Sequence, residues 1–304
     1  MKYIIAFPDN AYFRWQVLVQ INNLKKFGLE KDLIYVAGIN NRRSKKLNLI
    51  EKETGIKIYS YKDERYDKNY ASSLRPHILK KFFKEYPEMG KCFFYTDPDV
   101  IFSQKPSYET LIKGNTWFLS DTRSYINSHY IKRKGKKLFE EMCNIVGINE
   151  NVVTNNDRYA GGAQYIMKNV NERFWEKVEI DCENLYLHMI MTKGIYTPEH
   201  PIQAWTADMW AVLWNAWNFG YQTKILKRMN FSWATDKIEK WDEKTIHHNA
   251  GVAQQKHLFK KGLYSNSTPF NKDLSYVDEN YCSFKYVEEI KDTEKNYKNL
   301  IKGL

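Results

Sequence analysis

No stretch of about 18 consecutive apolar residues occurs in the 304-residue chain, so the sequence offers no membrane-spanning helix. The N-terminus carries Lys2 and only a five-residue apolar run, Tyr3 to Phe7, which is too short for the core of a secretory signal. No CxxC pair is present. The four cysteines, Cys92, Cys143, Cys182 and Cys282, are scattered singly. That spacing argues against a zinc site and a disulfide framework, and fits a reducing compartment. The expectation is a cytoplasmic protein, in the host-cell cytoplasm if the chain is viral. Internal repeats and low-complexity linkers are also missing, so one domain over residues 1–304 is the simplest organisation.

What is present supports a large core. Hydrophobic residues make up 43% of the chain and aromatics 15%, while 27% charged residues suit a solvated surface. Lys and Arg outnumber Asp and Glu by 47 to 36, a net charge of +11. Such an excess suits polyanionic company: nucleic acid, an anionic membrane surface or a phosphorylated substrate. It equally suits a lysine-rich surface that only maintains solubility.

The first third of the chain alternates strands and helices. Lys2 to Phe7 reads as a buried strand, followed by a turn at Pro8-Asp9-Asn10. Phe13, Val17, Ile21, Leu24 and Phe27 recur at helical spacing, and Gly28 ends the run. Leu33 to Ala37 and Ile56 to Tyr61 read as strands, and Pro76 opens a helix with Ile78, Leu79, Phe82 and Phe83 inward. Cys92 to Tyr95, apolar on both faces, suits a central strand. This order points to an α/β fold, a mostly parallel central sheet flanked by helices. Further on, Thr116 to Leu119 and Ala163 to Met167 read as strands, and residues 132–147 as a basic amphipathic helix. Residues 148–162 read as a loop. Asn171 caps a long helix, Ala207 to Phe219 form another, and the chain ends in a polar tail.

The segment with chemistry is Phe94-Tyr95-Thr96-Asp97-Pro98-Asp99-Val100-Ile101, an apolar strand ending in carboxylates at i and i+2. In extended backbone Asp97 and Asp99 leave one face, and Pro98 biases Asp97 toward that conformation. Paired anionic oxygens at the carboxyl end of a central strand suit a hard cation such as Mn²⁺ or Mg²⁺ shared with substrate phosphates. Six of the nine tryptophans lie between 205 and 241. Trp210, Trp214 and Trp217 follow i, i+4, i+7 and read as core. Trp205, three residues before Asp208, reads as an aromatic platform beside a carboxylate for the acceptor, although Asp208 also suits a helix first turn.

The strand followed by Thr96-Asp97-Pro98-Asp99 resembles the DxD motif of GT-A (Rossmann-like) glycosyltransferases. YFRWQ at 12–16, SLRPHIL at 73–79, GGAQYIMKNVNERFWEKVE at 161–179, AWTADMW at 204–210 and HNAG at 248–251 resemble the hydroxyproline arabinosyltransferase and peptidyl-serine galactosyltransferase group. The resemblance is loose over residues 3–262. It departs at Arg75-Pro76, where a lysine-proline pair is frequent, and at Asp208, where glutamate is usual. It also departs in lacking a secretory anchor.

The resemblance implies that Asp97 and Asp99 hold the metal against the diphosphate of a UDP-sugar. The residues alone leave open whether His247 or His248 completes that site; the resemblance favours His248, with Gly251 letting backbone approach the phosphates. Phe7 and Asp9 would meet the uracil and ribose. Thr96 belongs to the motif, and Lys260 or Lys261 would add a phosphate contact. Arg75 reads as a phosphate partner or a surface ion pair. Gly161, Gly162 and Gln164, with Asp157 upstream, would meet the donor sugar, though a plain β-turn also explains the glycines.

The expected activity is transfer of a sugar such as arabinose, glucose or galactose from a UDP-sugar to an acceptor hydroxyl (EC 2.4 class). Asp208 is the candidate base for inversion, but the named relatives retain configuration, which favours retention. Residues 1–110 would form the nucleotide-sugar half, 111–262 the acceptor half and 263–304 a C-terminal extension. The favoured acceptor is a hydroxymethylated pyrimidine, 5-hydroxymethylcytosine, in phage DNA. Lys132, Arg133, Lys134, Lys136 and Lys137 would then track phosphates, and the base would flip toward Trp205. The alternatives are a protein hydroxyl (hydroxyproline or serine) or a glycan. From other classes they are a metal-dependent nucleotidyltransferase, which would want a Gly/Lys/Arg-rich loop where Phe7-Pro8-Asp9-Asn10 stands, and a non-catalytic nucleic-acid-binding protein.

Overall fold

In the computed structural model, which describes residues 1–304, strands and helices alternate from the first residues onward. β1 (Lys2–Pro8) leads to α1 (Ala11–Lys25), β2 (Leu33–Ile39), α2 (Lys45–Thr54) and β3 (Ile58–Lys62). Next come α3 (Leu74–Glu85), β4 (Cys92–Tyr95), β5 (Val100–Phe102) and β6 (Trp117–Ser120). A helical stretch follows, with α4 (Arg123–Ile126), α5 (Ser128–Lys134), α6 (Lys136–Val146) and α7 (Glu150–Asn156). After β7 (Gly162–Lys168) come α8 (Glu172–Met191), α9 (Ala207–Asn218), β8 (Thr223–Ile225) and β9 (Phe231–Trp233). α10 (Glu239–Glu243), β10 (Ile246–His248), α11 (Cys282–Asn296) and α12 (Lys298–Lys302) complete the chain. Seven strands form a mostly parallel central sheet flanked by helices, as expected for an α/β fold. The chain visits two compact units alternately.

The first unit comprises Met1–Lys62, Thr96–Ile112 and Arg228–Leu304. Its share of the sheet is β3-β2-β1, all parallel, with Ile5 opposite Tyr35 and Ala37 opposite Ser60. Tyr3 to Phe7 and Leu33 to Ala37 are buried without alternation, the pattern of strands covered on both faces. A separate sheet of three strands, β5-β10-β9, carries β10 antiparallel to β5 and parallel to β9. Helix α1 is capped by Asn10, whose side chain accepts from Phe13 N. It is buried on every side from Trp15 to Leu24, wider than the single stripe its spacing suggests, and four buried amides sit within it: Gln16, Gln20, Asn22 and Asn23. The expected polar tail contains α11, which packs on α1. Asn22 and Asn23 donate to Glu289 at 2.6 and 3.1 Å, and Lys26 pairs with it at 2.8 Å. Only Tyr286, Val287 and Ile290 supply large apolar side chains to the helix's buried face, so lysine and glutamate hid its periodicity.

The second unit comprises Asp63–Tyr95 and Lys113–Lys227. Its strands run β4-β7-β6-β8, with β7 antiparallel to both β4 and β6. Asn171 caps α8 by accepting from Phe174 N, as its position predicts. Trp210 and Trp214 are fully buried and Trp217 nearly so, confirming the core reading of that stripe. Gly220, at φ +82°, ends the α9 region.

Several local expectations need correction. Helix α2 was hidden between Leu33–Ala37 and Ile56–Tyr61; its buried face is only Leu47, Ile50 and Thr54, and Ser44 caps it. The helix expected over 132–147 breaks at Gly135, where a Cβ would lie 2.6 Å from the Tyr196 ring. The loop expected over 148–162 holds α7, capped by Asn149. Helix α3 starts at Leu74, with Pro76 inside its first turn. Strand β9 was not anticipated; at three residues it is too short to show a period.

Candidate functional site

The two carboxylates stand on a tight turn, not on extended chain. Val100 N donates to Asp97 O at 3.4 Å, closing Asp97-Pro98-Asp99-Val100. Proline fixes φ near the value that the second position of such a turn requires, and this preference overrides the extended geometry expected from the spacing. Gln20 of α1 holds the turn, donating through Nε2 to Asp97 O at 2.8 Å and Val100 O at 2.9 Å. The amide is itself oriented by the Tyr35 hydroxyl, which donates to Gln20 Oε1 at 3.0 Å. One residue pair further on, Asn23 Nδ2 donates to Phe102 O at 3.1 Å and Asn23 Oδ1 accepts from Phe102 N at 2.8 Å.

β10 brings the imidazole. In its register His248 lies opposite Val100 of β5, and Asn249 N donates to Asp99 O at 3.0 Å. His248 Nε2 is 3.3 Å from Asp99 Oδ1 and 3.9 Å from Asp97 Oδ2. Trp233, its partner on β9, stacks on the ring at 5.8 Å and 15°. One donor atom from each of Asp97, Asp99 and His248 lies within 4.8 Å of the others. Adjacent strand residues face opposite ways, so His247 turns elsewhere. Its Nδ1 lies 3.1 Å from Ser232 Oγ, and burial pushes its pKa down to about 3, leaving a neutral core imidazole. Of the two histidines, His248 is the one whose ring reaches the carboxylates.

Lys261 joins the cluster. Its ammonium bonds Asp99 Oδ2, while Lys260 is exposed and donates to Ala253 O at 2.7 Å. Burial pushes the Asp99 carboxyl up, but Lys261 and His248 outweigh it and hold the group well below the usual carboxylate range. Burial likewise works against the Lys261 ammonium, and Asp99 reverses this, raising its pKa. Two hard oxygen donors and one imidazole on a braced backbone fit a divalent cation. Thr96 Oγ1 and both amide atoms of Asn249, which flank this cluster in sequence, are buried without hydrogen-bond partners. Unpaired polar atoms in such a place suit an arriving ligand.

The remaining expected residues of the first unit are differently placed. Phe7 is fully buried against Tyr35, ring centroids 6.1 Å apart. Asp9 accepts from Arg14 Nη1 and Ser44 Oγ, both at 2.8 Å, and from Ser44 N at 2.9 Å, so its carboxylate is already well served. Gly251 takes φ +88°, a conformation that favours glycine.

In the second unit Arg75 forms an ion pair with Asp208 Oδ2. The Tyr70 hydroxyl lies 2.8 Å from both Asp208 Oδ1 and Trp205 O, and accepts from Asp208 N at 3.0 Å. Trp205 itself is 61% exposed. Gly161 meets protein where a side chain would project: a Cβ would lie 2.5 Å from Ser120 O and from Ile225 Cδ1. At Gly162 it would lie 2.7 Å from the Tyr165 hydroxyl. Gln164 is buried and accepts from Ser120 Oγ at 2.8 Å, and Asp157 accepts from Ser128 N at 2.8 Å. Tyr70, Gln20 and Asn23 carried no motif, and Asn249 stood in HNAG without an assigned role. The available signal for Gln20 and Asn23 was a polar amide inside an otherwise apolar helix.

No protein-family model matches the chain, and no curated protein matches it in sequence. Solved structures do resemble it. The apo structure of the WbbM bifunctional glycosyltransferase is similar at TM-score 0.51 and 10% identity, over 98% of this chain and 51% of that one. The fold is that of a GT-A glycosyltransferase. The chain spans about half the length of WbbM, 51%. The galactosyltransferase LgtC, solved with donor and acceptor sugar analogues, is similar at 12% identity and TM-score 0.48, with 95% of each chain covered. The apo form of the glycosyltransferase GlyE from Streptococcus pneumoniae TIGR4 is similar at 12% identity and TM-score 0.47, over 99% of this chain and 64% of that one.

Proposed function

We propose that this protein is a metal-dependent glycosyltransferase that moves a sugar from a UDP-sugar to an acceptor hydroxyl. The observation that carries the reading is the Asp97, Asp99 and His248 cluster, with donor atoms within 4.8 Å of one another, in a chain of glycosyltransferase fold. A Mn²⁺ or Mg²⁺ ion held there supplies neutralisation of the charge developing on the diphosphate leaving group. The protein's own contribution is to aim the ligands in advance: Gln20 fixes the turn, the β10 register fixes His248, and Trp233 limits the ring's rotation.

Thr96 belongs to donor binding in this reading, because its buried hydroxyl has no protein partner beside Asp97. Gly251 and Lys260 complete the proposed donor contacts on the first unit, and Trp205 and Asp208 form the proposed acceptor contacts on the second. Both Asp208 oxygens are engaged, one near Tyr70 and the other by Arg75, so acting as base would require giving up a partner. That favours retention. The bond from the sugar to the diphosphate breaks as the bond to the acceptor oxygen forms, and the acceptor proton passes to the departing phosphate oxygen.

The acceptor we favour is 5-hydroxymethylcytosine in phage DNA. A net charge of +11 supports it, as does the exposure of Lys132, Arg133, Lys136 and Lys137 on and beside α5. A protein hydroxyl or a glycan is the second reading, favoured by the resemblance at 161–179 and 204–210. A cytoplasmic location belongs to the same proposal; no helix is long and apolar enough to cross a membrane.

The test is Mn²⁺-dependent turnover of a panel of UDP-sugars, with Asp99→Ala as control, followed by incubation with hydroxymethylcytosine DNA and mass analysis. Metal-dependent release of UDP by the wild type alone is the expected result. No turnover of any UDP-sugar would sink the enzyme reading, and turnover without a DNA mass shift would move the acceptor to protein or glycan.

A further inference from the structure

We propose that Lys261 is a resident counter-cation that keeps the Asp97–Asp99–His248 seat from taking a divalent ion until a diphosphate arrives, an inference that rests on the metal reading above. Asp99 is only 4% exposed, and its two oxygens face different cations or donors: Oδ1 lies 3.3 Å from His248 Nε2, and Oδ2 bonds the Lys261 ammonium. A buried carboxylate without a counter-charge is strongly unfavourable. Lys261 supplies that charge.

The same contact opposes the metal. An ion in the seat would share one buried carboxylate with an ammonium, and like charges at that range repel strongly away from bulk water. The charge count sharpens this. Asp97 and Asp99 bring two negative charges, Lys261 cancels one, and an imidazole binds metal only when neutral. One net negative charge then faces a divalent cation. A nucleoside diphosphate reverses the balance, because it supplies further anionic oxygens to the metal and a new partner to the ammonium. Metal and nucleotide therefore bind with positive coupling, and Lys261 is its source. Lys261 is well placed for an exchange of partners: it opens a short 3₁₀ turn, Lys261–Tyr264, separate from the turn and strand that carry the ligands.

The test is a Mn²⁺ titration followed by electron paramagnetic resonance of the free ion, with and without UDP, on wild type, Lys261→Met, Lys261→Gln and Lys261→Arg. Wild type should bind Mn²⁺ roughly tenfold or more tightly with UDP present. Without UDP, Lys261→Met should bind Mn²⁺ roughly tenfold more tightly than wild type and lose most of the UDP effect, whereas Lys261→Arg should behave like wild type. Lys261→Gln, neutral but still able to donate to Asp99, repeats the measurement if the methionine variant does not fold. Equal Mn²⁺ affinity in wild type with and without UDP would overturn the inference. So would neutral variants that bind Mn²⁺ alone no better than wild type. Failure of the metal reading looks different: no protein would bind Mn²⁺ under any condition, UDP included.

Discussion

Gln20 and Asp97 are joined across 77 residues by a hydrogen bond of 2.8 Å, from the Gln20 amide to the Asp97 carbonyl. The second hydrogen on the same nitrogen goes to Val100 O at 2.9 Å, so one side chain spans the turn that presents both carboxylates. Replacing Gln20 by Ala should therefore act twice. The Val100 carbonyl and the Tyr35 hydroxyl lose a partner and the Asp97 carbonyl keeps only its long contact with Val100 N, a loss of about 2–3 kcal/mol in chemical denaturation. Mn²⁺ affinity should fall as well, because the turn is no longer fixed. A variant that loses stability but keeps full Mn²⁺ affinity would show that the turn holds its geometry without the clamp.

His247 gives the fold a pH dependence. Its pKa is depressed to about 3 in the folded protein, against about 6.5 for a free imidazole. A depressed folded pKa means the unfolded chain takes up the proton first. The contribution is thus complete above pH ~6.5 and is lost progressively as the pH falls toward the folded value. Unfolding free energies measured from pH 7 down to 4 should decline by several kcal/mol in wild type, and by clearly less in His247→Phe. Parallel curves would remove His247 as the cause.

Asp99→Asn tests the carboxylate itself. Mn²⁺ binding should vanish with or without UDP. The variant should also lose the stability that Asp99 contributes above pH ~4, the usual carboxylate range, where the folded group is ionised beside Lys261. In wild type that contribution disappears as the pH drops below this range; in the variant there is nothing to lose. Calorimetric melts across the acid limb, with Mn²⁺ titrations at neutral pH, check both halves.

Gly161→Ala separates packing from sugar contact. Its Cβ would lie 2.5 Å from the backbone oxygen of Ser120 and 2.8 Å from Leu119 Cβ, and strand backbone cannot swing aside. We expect a destabilisation of about 1–3 kcal/mol in the purified protein without ligands. An unchanged melting temperature with a raised KM for the UDP-sugar would assign the glycine to the donor instead.

Tyr70→Phe removes the hydroxyl that sits 2.8 Å from Asp208 Oδ1. If Asp208 grips the acceptor, a looser carboxylate should raise the acceptor KM roughly fivefold and leave UDP-sugar hydrolysis unchanged. Equal losses in both reactions would place the pair in folding, not in acceptor binding.

Much of this protein could be read along the chain because the relevant forces are local. Continuous apolar runs mark β1, β2 and β4, Asn171 marks a helix start, and the spacing of Trp210, Trp214 and Trp217 marks a buried stripe. The Asp97–Asp99 pair was visible for the same reason, as two carboxylates two residues apart after an apolar strand, although the turn that carries them was not. Where apolar residues were sparse, as in α2 and α11, polar composition masked the helix.

Only the tertiary structure could bring Lys261 onto Asp99 across 162 residues, or show by geometry that His248 and not its neighbour faces the carboxylates. Strand alternation says that His247 and His248 face opposite ways, but which face meets the carboxylates depends on how β10 pairs with β5. The same holds for Arg75 and Asp208, whose opposite charges meet through the packing of α3, α8 and α9. Sequence specifies which side chains want a partner; the three-dimensional register of the elements selects the partner, because charge and hydrogen bonding act through space.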